Sequence, residues 1–283
     1  VYNCVLATGN RWFAKNAGMM SGIFLMCFGA GSLIFGPLST ALMKQIGWSK
    51  TFIVLGILFA IVFTITSFQV VLPKESLVPI TDEKVKGTRT NITTTEMLKH
   101  KNFWFYLGWS TLFSAVGLGL VGQVFTISSS FHMSDMNAAY MVSLVAVCNG
   151  LGRFFFGSIY DIKGRNVTMT VISFITMTGV VLLSIAVKNN LVMLLFGAFI
   201  FMGFGYGGIT PNNSNFIRDY FGVKNYAMNF SIVNFNLLIS VFIGQGVGSS
   251  LYMMTGAYFY SAVVMLVLCI TGFVCSLKIK AYV

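Results

Sequence analysis

Long apolar runs constrain this chain more than any other feature of its sequence. A helix that crosses a bilayer needs about 20 mostly apolar residues, and eight separate runs reach that length. They cover residues 17–43, 51–72, 103–130, 138–160, 167–187, 191–213, 226–251 and 258–277. The strands of a membrane barrel would instead alternate apolar and polar residues over about 10 positions. The runs therefore predict an all-α integral membrane protein, because helices satisfy their own backbone in lipid.

Composition excludes the soluble classes of protein. Hydrophobic residues make up 56% of the 283-residue chain and charged residues only 9%, whereas a soluble domain usually carries about 25% charge. We therefore expect neither a soluble enzyme nor a nucleic-acid-binding module, and the lipid bilayer is the expected partner. The five cysteines lie in or beside apolar runs without the spacing of metal ligands. We expect no catalytic residues, no metal and no cofactor.

The basic residues indicate how the chain is oriented in the membrane. When successive loops are assigned to alternate sides, fourteen Lys and Arg residues lie on one side and three on the other, with Arg153 inside a span. Loops rich in Lys and Arg tend to stay in the cytoplasm. We therefore expect the long central loop and the C-terminus to be cytoplasmic, and we leave open whether the membrane is the plasma membrane or that of an organelle.

A short internal repeat indicates how the spans are grouped. Residues 15–23 and 224–232 are identical at four of nine positions, and they open the first and the seventh span. Many transporters consist of two six-helix halves related by a repeat, which predicts twelve helices with about eight present here. Residues 1–72 would hold helices 5 and 6 of the N-terminal half, 73–102 the central loop, and 103–283 helices 7 to 12.

A glycine-containing loop follows the fourth span. Its sequence, GSIYDIKGR, places Gly157, Asp161, Gly164 and Arg165 in the pattern Gly-x-x-x-Asp-x-x-Gly-Arg. This pattern resembles the signature between helices 8 and 9 of the major facilitator superfamily. The resemblance implies a helical bundle of that type, in which these four residues form a latch that holds one conformation. The alternative is a short turn with an ordinary Asp–Arg pair.

Within the superfamily, the chain is similar to the oxalate:formate antiporter family and the related monocarboxylate transporters. The likeness runs from about Asn10 to the end of the last span. It is carried by segment 11–37, which contains RWF, Gly18, Gly22, FGAG and GP, and by segment 219–229, DYFGVKNYAMN. It implies alternating access with a small organic anion as substrate. A coupled proton or a counter-transported anion is left open as a further partner.

The resemblance also points to a substrate-binding arginine. Transporters of this type use an arginine in helix 8 and, in the oxalate carriers, a lysine in helix 11. Arg153 matches the arginine, but no Lys or Arg occurs between Lys224 and Lys278, and Leu237 stands in the lysine's place. One remaining cation fits a monocarboxylate better than a dicarboxylate, so the implied substrate is monocarboxylate-like.

Arg153 is also unusual on physical grounds. It lies about four residues past the middle of its span, or ~6 Å at helical rise, and an arginine near mid-membrane costs at least about 2.5–3.5 kcal/mol. Its planar fork of donors matches a carboxylate. The alternatives are an arginine that extends towards the cytoplasm, or one that pairs with Asp161 or with a helix C-terminus.

Three other polar residues inside spans are candidates for the wall of a substrate cavity. They are Gln123, Tyr206 and Asn234. Hydrogen bonds between helices are the alternative role of the two amides, and core packing is the alternative role of Tyr206.

Glycine and proline predict close packing and bends. Gly150 and Gly152, beside Arg153, predict that a neighbouring helix comes close. The density of Gly and Pro after residue 203 predicts a broken or bent span that lines a cavity or packs in protein. Three amides that follow are then expected to face water near the inner end of that span: Asn212, Asn213 and Asn215.

These observations predict a secondary active transporter that moves a small organic anion by alternating access, with antiport as the expected mode. A non-transporting membrane receptor or scaffold on the same fold is the alternative. An ion channel would need a ring of charges or a repeated filter segment, and neither is visible in the sequence.

Overall fold

The chain is described by a computed structural model over residues 2–13, 16–69, 71 and 92–279. All regular secondary structure in these ranges is helical, which confirms the fold class that the apolar runs predict. Most of the predicted central loop, together with Lys15 and the last four residues, lies outside the described ranges.

The helices follow one another with short links. In chain order they are α1 (Tyr2–Trp12), α2 (17–46), α3 (48–67), α4 (Thr94–Lys99), α5 (Lys101–Ser130), α6 (135–163), α7 (165–189), α8 (Val192–Phe221), α9 (Tyr226–Thr255) and α10 (Tyr258–Leu277). The eight predicted spans lie on α2, α3 and α5 to α10.

Two glycines divide helices that would otherwise be very long. Gly47 separates α2 from α3 with φ 78° and ψ 164°, and Gly164 separates α6 from α7 with φ 75° and ψ 179°. A positive φ is costly for residues that carry a Cβ atom, so glycine lets the chain leave one helix and enter the next. Both breaks fall in links that the sequence predicts.

Length and composition support the membrane-spanning prediction. Six helical stretches among the described residues are long and apolar enough to cross a membrane. One of these stretches is Asp135–Asn189, which contains both α6 and α7 and so accounts for two predicted spans. The remaining predicted span, α2, is about 45 Å long at the helical rise of 1.5 Å per residue.

Helices α5 to α10 pack around a common hydrophobic core. Tyr106 and Trp109 of α5 have no exposed surface, and the Tyr106 ring stacks on Phe216 of α8 with 3.6 Å between centroids. Helix α2 packs against α6 and α8. Helix α3 is mostly uncovered, with 11% of its apolar window buried against 67% for α5. Of the two helices that precede the central loop, α2 is therefore the one that packs on α6, the helix that contains Arg153.

The repeat detected in the sequence has a structural counterpart. Helix α2 begins at Ala17 and α9 at Tyr226, so each begins two residues after the lysine of its repeat segment. Each is preceded by an asparagine, Asn16 or Asn225, whose side chain makes no capping hydrogen bond. The two repeat segments therefore open helices in the same way, as the sequence predicts.

Helix α9 contains one wider turn. Its backbone is π-helical at Phe242–Val247. Gly244 in this turn lies so close to α5 that an added Cβ atom would come within 2.9 Å of the Gly119 nitrogen. Any larger residue at position 244 would push α9 away from α5, so this contact requires glycine.

Helix α8 is longer than predicted. It continues through Pro211 and ends at Phe221, whereas the sequence predicts a span that is broken or bent and ends at residue 213. Proline removes one backbone donor and tends to kink a helix. Here the helix runs through Pro211 without a break, and the turns that follow pack in the core rather than in water.

The amides that follow Pro211 are buried, so the expectation that they face water is wrong. Asn212, Asn213 and Asn215 have 1%, 2% and 0% exposed surface. For two of them the physical reason is a set of partners on α5: Asn213 Oδ1 accepts hydrogen bonds from the hydroxyls of Tyr106 and Ser110, both at 2.8 Å, and Asn212 Nδ2 donates to the Tyr106 hydroxyl at 3.3 Å. Buried polar groups are tolerated where such partners replace water.

One end of the helix bundle carries residues 92–100, which lead out of the predicted central loop. We call this end of the bundle the loop end. The short helix α4 lies there, and Thr93 caps it: the Thr93 hydroxyl accepts from the Glu96 backbone N–H, and the Glu96 carboxylate accepts from the Thr93 N–H at 2.9 Å. This reciprocal pair is a capping box, which explains why a helix of six residues forms here.

Candidate functional site

Arg153 lies on α6 and donates one hydrogen bond within α6 and one to α2. Its Nε donates to Asn149 Oδ1, one turn earlier on α6, at 3.0 Å, and its Nη1 donates to the backbone carbonyl of Leu25 on α2. The side chain is partly buried. A guanidinium away from water needs such acceptors. The bond to Leu25 joins α6 to a helix of the other predicted half.

The alternative in which Arg153 pairs with Asp161 is wrong. The two residues are eight positions apart on α6, which is ~12 Å along a helix. The Asp161 carboxylate instead accepts hydrogen bonds from the backbone N–H groups of Gly18 at 3.0 Å and Met19 at 2.7 Å. Arg153 and Asp161 are thus separate attachments between α6 and α2.

Small residues let α2 lie directly against α6. A Cβ atom added to Gly18 would come within 2.6 Å of the Gly157 carbonyl, and one added to Gly22 would lie 3.1 Å from the Arg153 carbonyl carbon. Gly157 is equally confined, since its Cβ would lie 3.1 Å from the Gly18 carbonyl carbon. Because the two backbones lie in contact along these residues, the Leu25 carbonyl comes within hydrogen-bonding distance of the Arg153 guanidinium.

The opposite side of α6 packs just as closely on α8. A Cβ atom on Gly207 would lie 3.0 Å from the Arg153 nitrogen, and one on Gly152 would lie 3.0 Å from the Phe204 carbonyl carbon. The packing predicted for Gly152 is therefore confirmed. The same prediction for Gly150 is wrong, because its nearest neighbour, Met26, would be at an ordinary distance of 3.7 Å.

Tyr206 is the predicted cavity residue that lies near Arg153. It is on α8, one residue before Gly207, whose added Cβ atom would lie 3.0 Å from the Arg153 nitrogen. Its side chain crosses to α5, where a Cβ atom on Gly117 would be 2.7 Å from the Tyr206 Cβ. The phenol therefore lies between α5 and the α6–α8 contact.

The other two predicted cavity residues have different neighbours. Gln123 on α5 is 4% exposed and donates from Nε2 to Ser249 on α9 at 3.5 Å. Asn234 is partly buried, at the end of the first straight stretch of α9. The structure thus places Tyr206 beside the α6–α8 contact that includes the Arg153 backbone, and it brings Gln123 against α9.

The predicted latch residues all lie at the loop end, but they make different contacts from those of a simple Asp–Arg pair. Asp161 binds the N-terminus of α2, where a negative charge also interacts favourably with the helix dipole. Arg165 stacks over the Tyr220 ring, 5.3 Å from its centroid, and bonds to the neighbouring Asn166. Gly164 supplies the backbone turn between α6 and α7.

Two sets of residues at the loop end were missed by sequence reasoning. Arg218 pairs with Asp219, with Nε 2.8 Å from Oδ1 and only 14% of the arginine side chain exposed. The hydroxyls of Ser21, Ser214 and Tyr226 also lie in a row across α2, α8 and α9, at 3.2 and 2.7 Å. Serine and tyrosine are common in apolar helices, so nothing in the sequence singles out this row.

A surface cleft of about 470 Å³ lies at the loop end. Its lining residues are Glu96, Lys99, His100, Lys101 and Asn102. None of the predicted substrate-binding residues is among them. Among the described residues, no group of three His, Cys, Asp or Glu side chains is placed to hold a metal ion.

Comparison with known proteins agrees with this architecture. The family model of the Major Facilitator Superfamily matches residues 4–187 and 109–281, so the chain belongs to the Major Facilitator Superfamily. It is therefore an integral, multi-pass membrane protein of a transporter family, and the expectation that it is not an enzyme is confirmed.

Two curated relatives resemble the chain over most of its length. It is 26% identical over 250 residues to the uncharacterized MFS-type transporter YhjX of Escherichia coli (strain K12), covering 87% of this chain and 57% of that protein. It is 27% identical over 256 residues to the oxalate:formate antiporter of Oxalobacter formigenes, covering 89% and 59%. The chain thus spans less than two thirds of the length of these relatives.

Proposed function

We propose that the protein, in its full length, is a secondary active transporter that moves a small, monocarboxylate-like organic anion by alternating access. The observation that carries this proposal is Arg153, a cation well inside α6 whose fork bonds to the facing helix α2. The distant similarity to an oxalate:formate antiporter supports an organic anion as the substrate class.

The partners of Arg153 suggest how a substrate would bind. A carboxylate is a stronger acceptor than a neutral carbonyl, because hydrogen bonds between ions are shorter and roughly twice as strong. The substrate carboxylate would therefore replace the Leu25 carbonyl at Nη1, while Asn149 keeps Nε in place. Tyr206 would line the same space from α8, and Gln123 and Asn234 would contribute from α5 and α9.

This exchange of partners links binding to movement. Arg153 bonds to Leu25 only while α2 lies against α6, so separation of the two helices would free Nη1 for substrate. The contacts of Asp161 with Gly18 and Met19 would break in the same movement. We therefore assign the latch role to Gly157, Asp161, Gly164 and Arg165, which lie together at the loop end.

The domain division and the orientation follow from the same scheme. Residues 1–72 would belong to the N-terminal half and residues 103–283 to the C-terminal half, with alternating access arising as one half rocks against the other. The loop end would face the cytoplasm, because it carries most of the basic residues. A proton or a second anion would accompany the substrate.

Counterflow tests the proposal directly. Vesicles that contain the full-length protein and are loaded with an unlabelled monocarboxylate should accumulate the labelled compound faster than protein-free vesicles. A panel of mono- and dicarboxylates should favour the monocarboxylates, because Arg153 supplies a single guanidinium at the proposed site. A receptor or scaffold on this fold would show no accumulation with any member of the panel.

A further inference from the structure

The first turn of α9 is held from outside by the segment that leads out of the central loop. We call this segment, residues 92–100, the strap. Asn225 and Asn229 donate from Nδ2 to the Ile92 carbonyl at 3.2 and 3.4 Å. The Thr94 hydroxyl donates to Asn229 Oδ1 at 2.7 Å. Three hydrogen bonds thus fasten the strap to a single turn of helix.

The strap is also fixed by further contacts, two of them to α8 and α5. The Ile92 N–H donates to the Phe221 carbonyl at the end of α8, at 3.1 Å. Met97 is fully buried, and the indole N–H of Trp104 donates to the Leu98 carbonyl at 2.8 Å. Because both its ends and its middle are held, the strap is a rigid support for the first turn of α9 rather than a loose tail.

The same turn of α9 reaches inward to α2. Tyr226 lies between Asn225 and Asn229 in sequence, and its hydroxyl is 2.7 Å from Ser214 Oγ on α8. Ser214 Oγ is in turn 3.2 Å from Ser21 Oγ on α2. Ser21 and Ser214 are fully buried and Tyr226 is 4% exposed. We call these three residues the hydroxyl row.

The full set of hydrogen bonds in the hydroxyl row forms only when the loop end is closed. Ser21, at the α2 end of the row, belongs to the helix that also bonds to Asp161 and Arg153. The row is therefore complete only when α2 lies against α6 and α8. An intramolecular hydrogen bond of this kind contributes about 0.5–1.5 kcal/mol, or about two- to tenfold in an equilibrium, net of the bonds that water would make instead. The row therefore favours the closed arrangement as long as the Tyr226 hydroxyl stays within hydrogen-bonding distance of Ser214.

We propose that the strap regulates the opening of the loop end through the first turn of α9. The proposal rests on the proposed function, because it assumes that α2 separates from α6 during transport. Asn225 and Asn229 hydrogen-bond to the strap, and Tyr226 lies on the same turn. The position of Tyr226 then determines whether its hydroxyl reaches Ser214, which in turn contacts Ser21. A modification or a partner that pulls the strap away would make the loop end open more readily.

Labelling of a buried thiol measures this opening without substrate. Leu25 is 1% exposed on α2, so a cysteine at this position, in a full-length protein whose own cysteines are replaced, reacts only when α2 moves away. Thr94→Val removes the bond to Asn229 while keeping the shape of the side chain. Loss of one such bond should raise the labelling rate about two- to tenfold.

Thr95 provides the matched control. It is the next residue of the strap, it is exposed, and it lies on the same helix α4. Thr95→Val changes the same atoms without touching α9 and should leave the labelling rate as it was. An equal rise in both variants would overturn the proposal, because it would mean that the strap acts only through its general stability.

A double-mutant cycle tests the connecting residue. Tyr226→Phe keeps the ring but removes the hydroxyl from the row, so it should also raise the labelling rate. If the strap acts through Tyr226, adding Thr94→Val to Tyr226→Phe should change the rate much less than adding it to the unaltered protein. Fully multiplicative effects would overturn the proposal. Because the readout needs no transport, its failure is distinguishable from failure in the counterflow assay.

Discussion

Arg153 donates hydrogen bonds to Asn149 on its own helix and to Leu25 on α2, through a charged and forked group. Arg153→Gln removes the charge but keeps some donors and much of the size. Because a hydrogen bond to a charged group contributes ~1.5–3 kcal/mol, substrate affinity in the full-length carrier should fall about ten- to a hundredfold. Arg153→Lys keeps the charge without the fork, so it should recover only part of the loss.

Lys188 provides the control for charge. It lies in the last turn of α7, and its ammonium is 5.9 Å from the centroid of the Phe259 ring on α10. Lys188→Gln changes the net charge by the same amount and should leave affinity unchanged in the counterflow assay. Normal affinity in Arg153→Gln at normal protein abundance would contradict substrate binding by this residue.

At the scale of whole elements, the backbone contact between α2 and α6 decides whether the loop end closes. Gly22→Ala places a methyl group 3.1 Å from the Arg153 carbonyl carbon and from Phe154 Cα. Overpacking of this kind costs about 1–3 kcal/mol, so the ratio of closed to open protein should fall about five- to 150-fold. Thiol labelling of Leu25→Cys measures the change.

The matched control for this contact is Gly56 on α3. A Cβ atom at Gly56 would meet nothing within 4 Å. Alanine favours a helix over glycine by about 1 kcal/mol, so both substitutions gain the same helix propensity and only Gly22→Ala loses a contact. Equal labelling in the two variants would show that α2 and α6 do not pack this closely.

The capping box of α4 predicts a dependence on pH. The pKa of Glu96 is lowered because its carboxylate accepts hydrogen bonds from the backbone and the hydroxyl of Thr93. A carboxylate whose pKa is depressed on folding adds stability above its ordinary value of 4.5, and this stability is lost as the pH falls through the lowered value. Hydrogen exchange of the α4 amides, corrected for pH, should therefore speed up below about pH 4.5.

Glu96→Gln separates the charge from the cap. Glutamine at this position still completes a capping box, but it does not titrate. The extra exchange at low pH should therefore disappear in this variant, while protection at neutral pH is largely kept. The same pH dependence in Glu96→Gln would mean that another group controls the helix.

At the scale of the whole molecule, the excess of basic residues at the loop end predicts the orientation in the membrane. Thr95 lies at the loop end, and Met193 lies at the start of α8, at the opposite end, with 84% of its surface exposed. In a cysteine-free background, an impermeant thiol reagent applied outside intact cells should label Met193→Cys and spare Thr95→Cys. The reverse pattern would contradict the predicted topology.

The sequence by itself determined the membrane-spanning helices among the described residues and the family. Runs of about 20 apolar residues have few alternatives in lipid, because the backbone must bond to itself. The breaks at Gly47 and Gly164 were predictable for a similar reason, since they separate apolar runs and glycine tolerates a positive φ. Arg153 was identified because a single charge in such a run is costly.

Only the tertiary structure decided which residues meet. Asn213 looks like part of the polar end of a span, yet it is buried because α5 presents the hydroxyls of Tyr106 and Ser110 to it. Asp161 looks like a partner for an arginine, yet it binds the N-terminus of α2. In each case the partner lies about a hundred residues or more away in sequence, and a polar side chain takes whichever donor or acceptor the folded chain brings within reach.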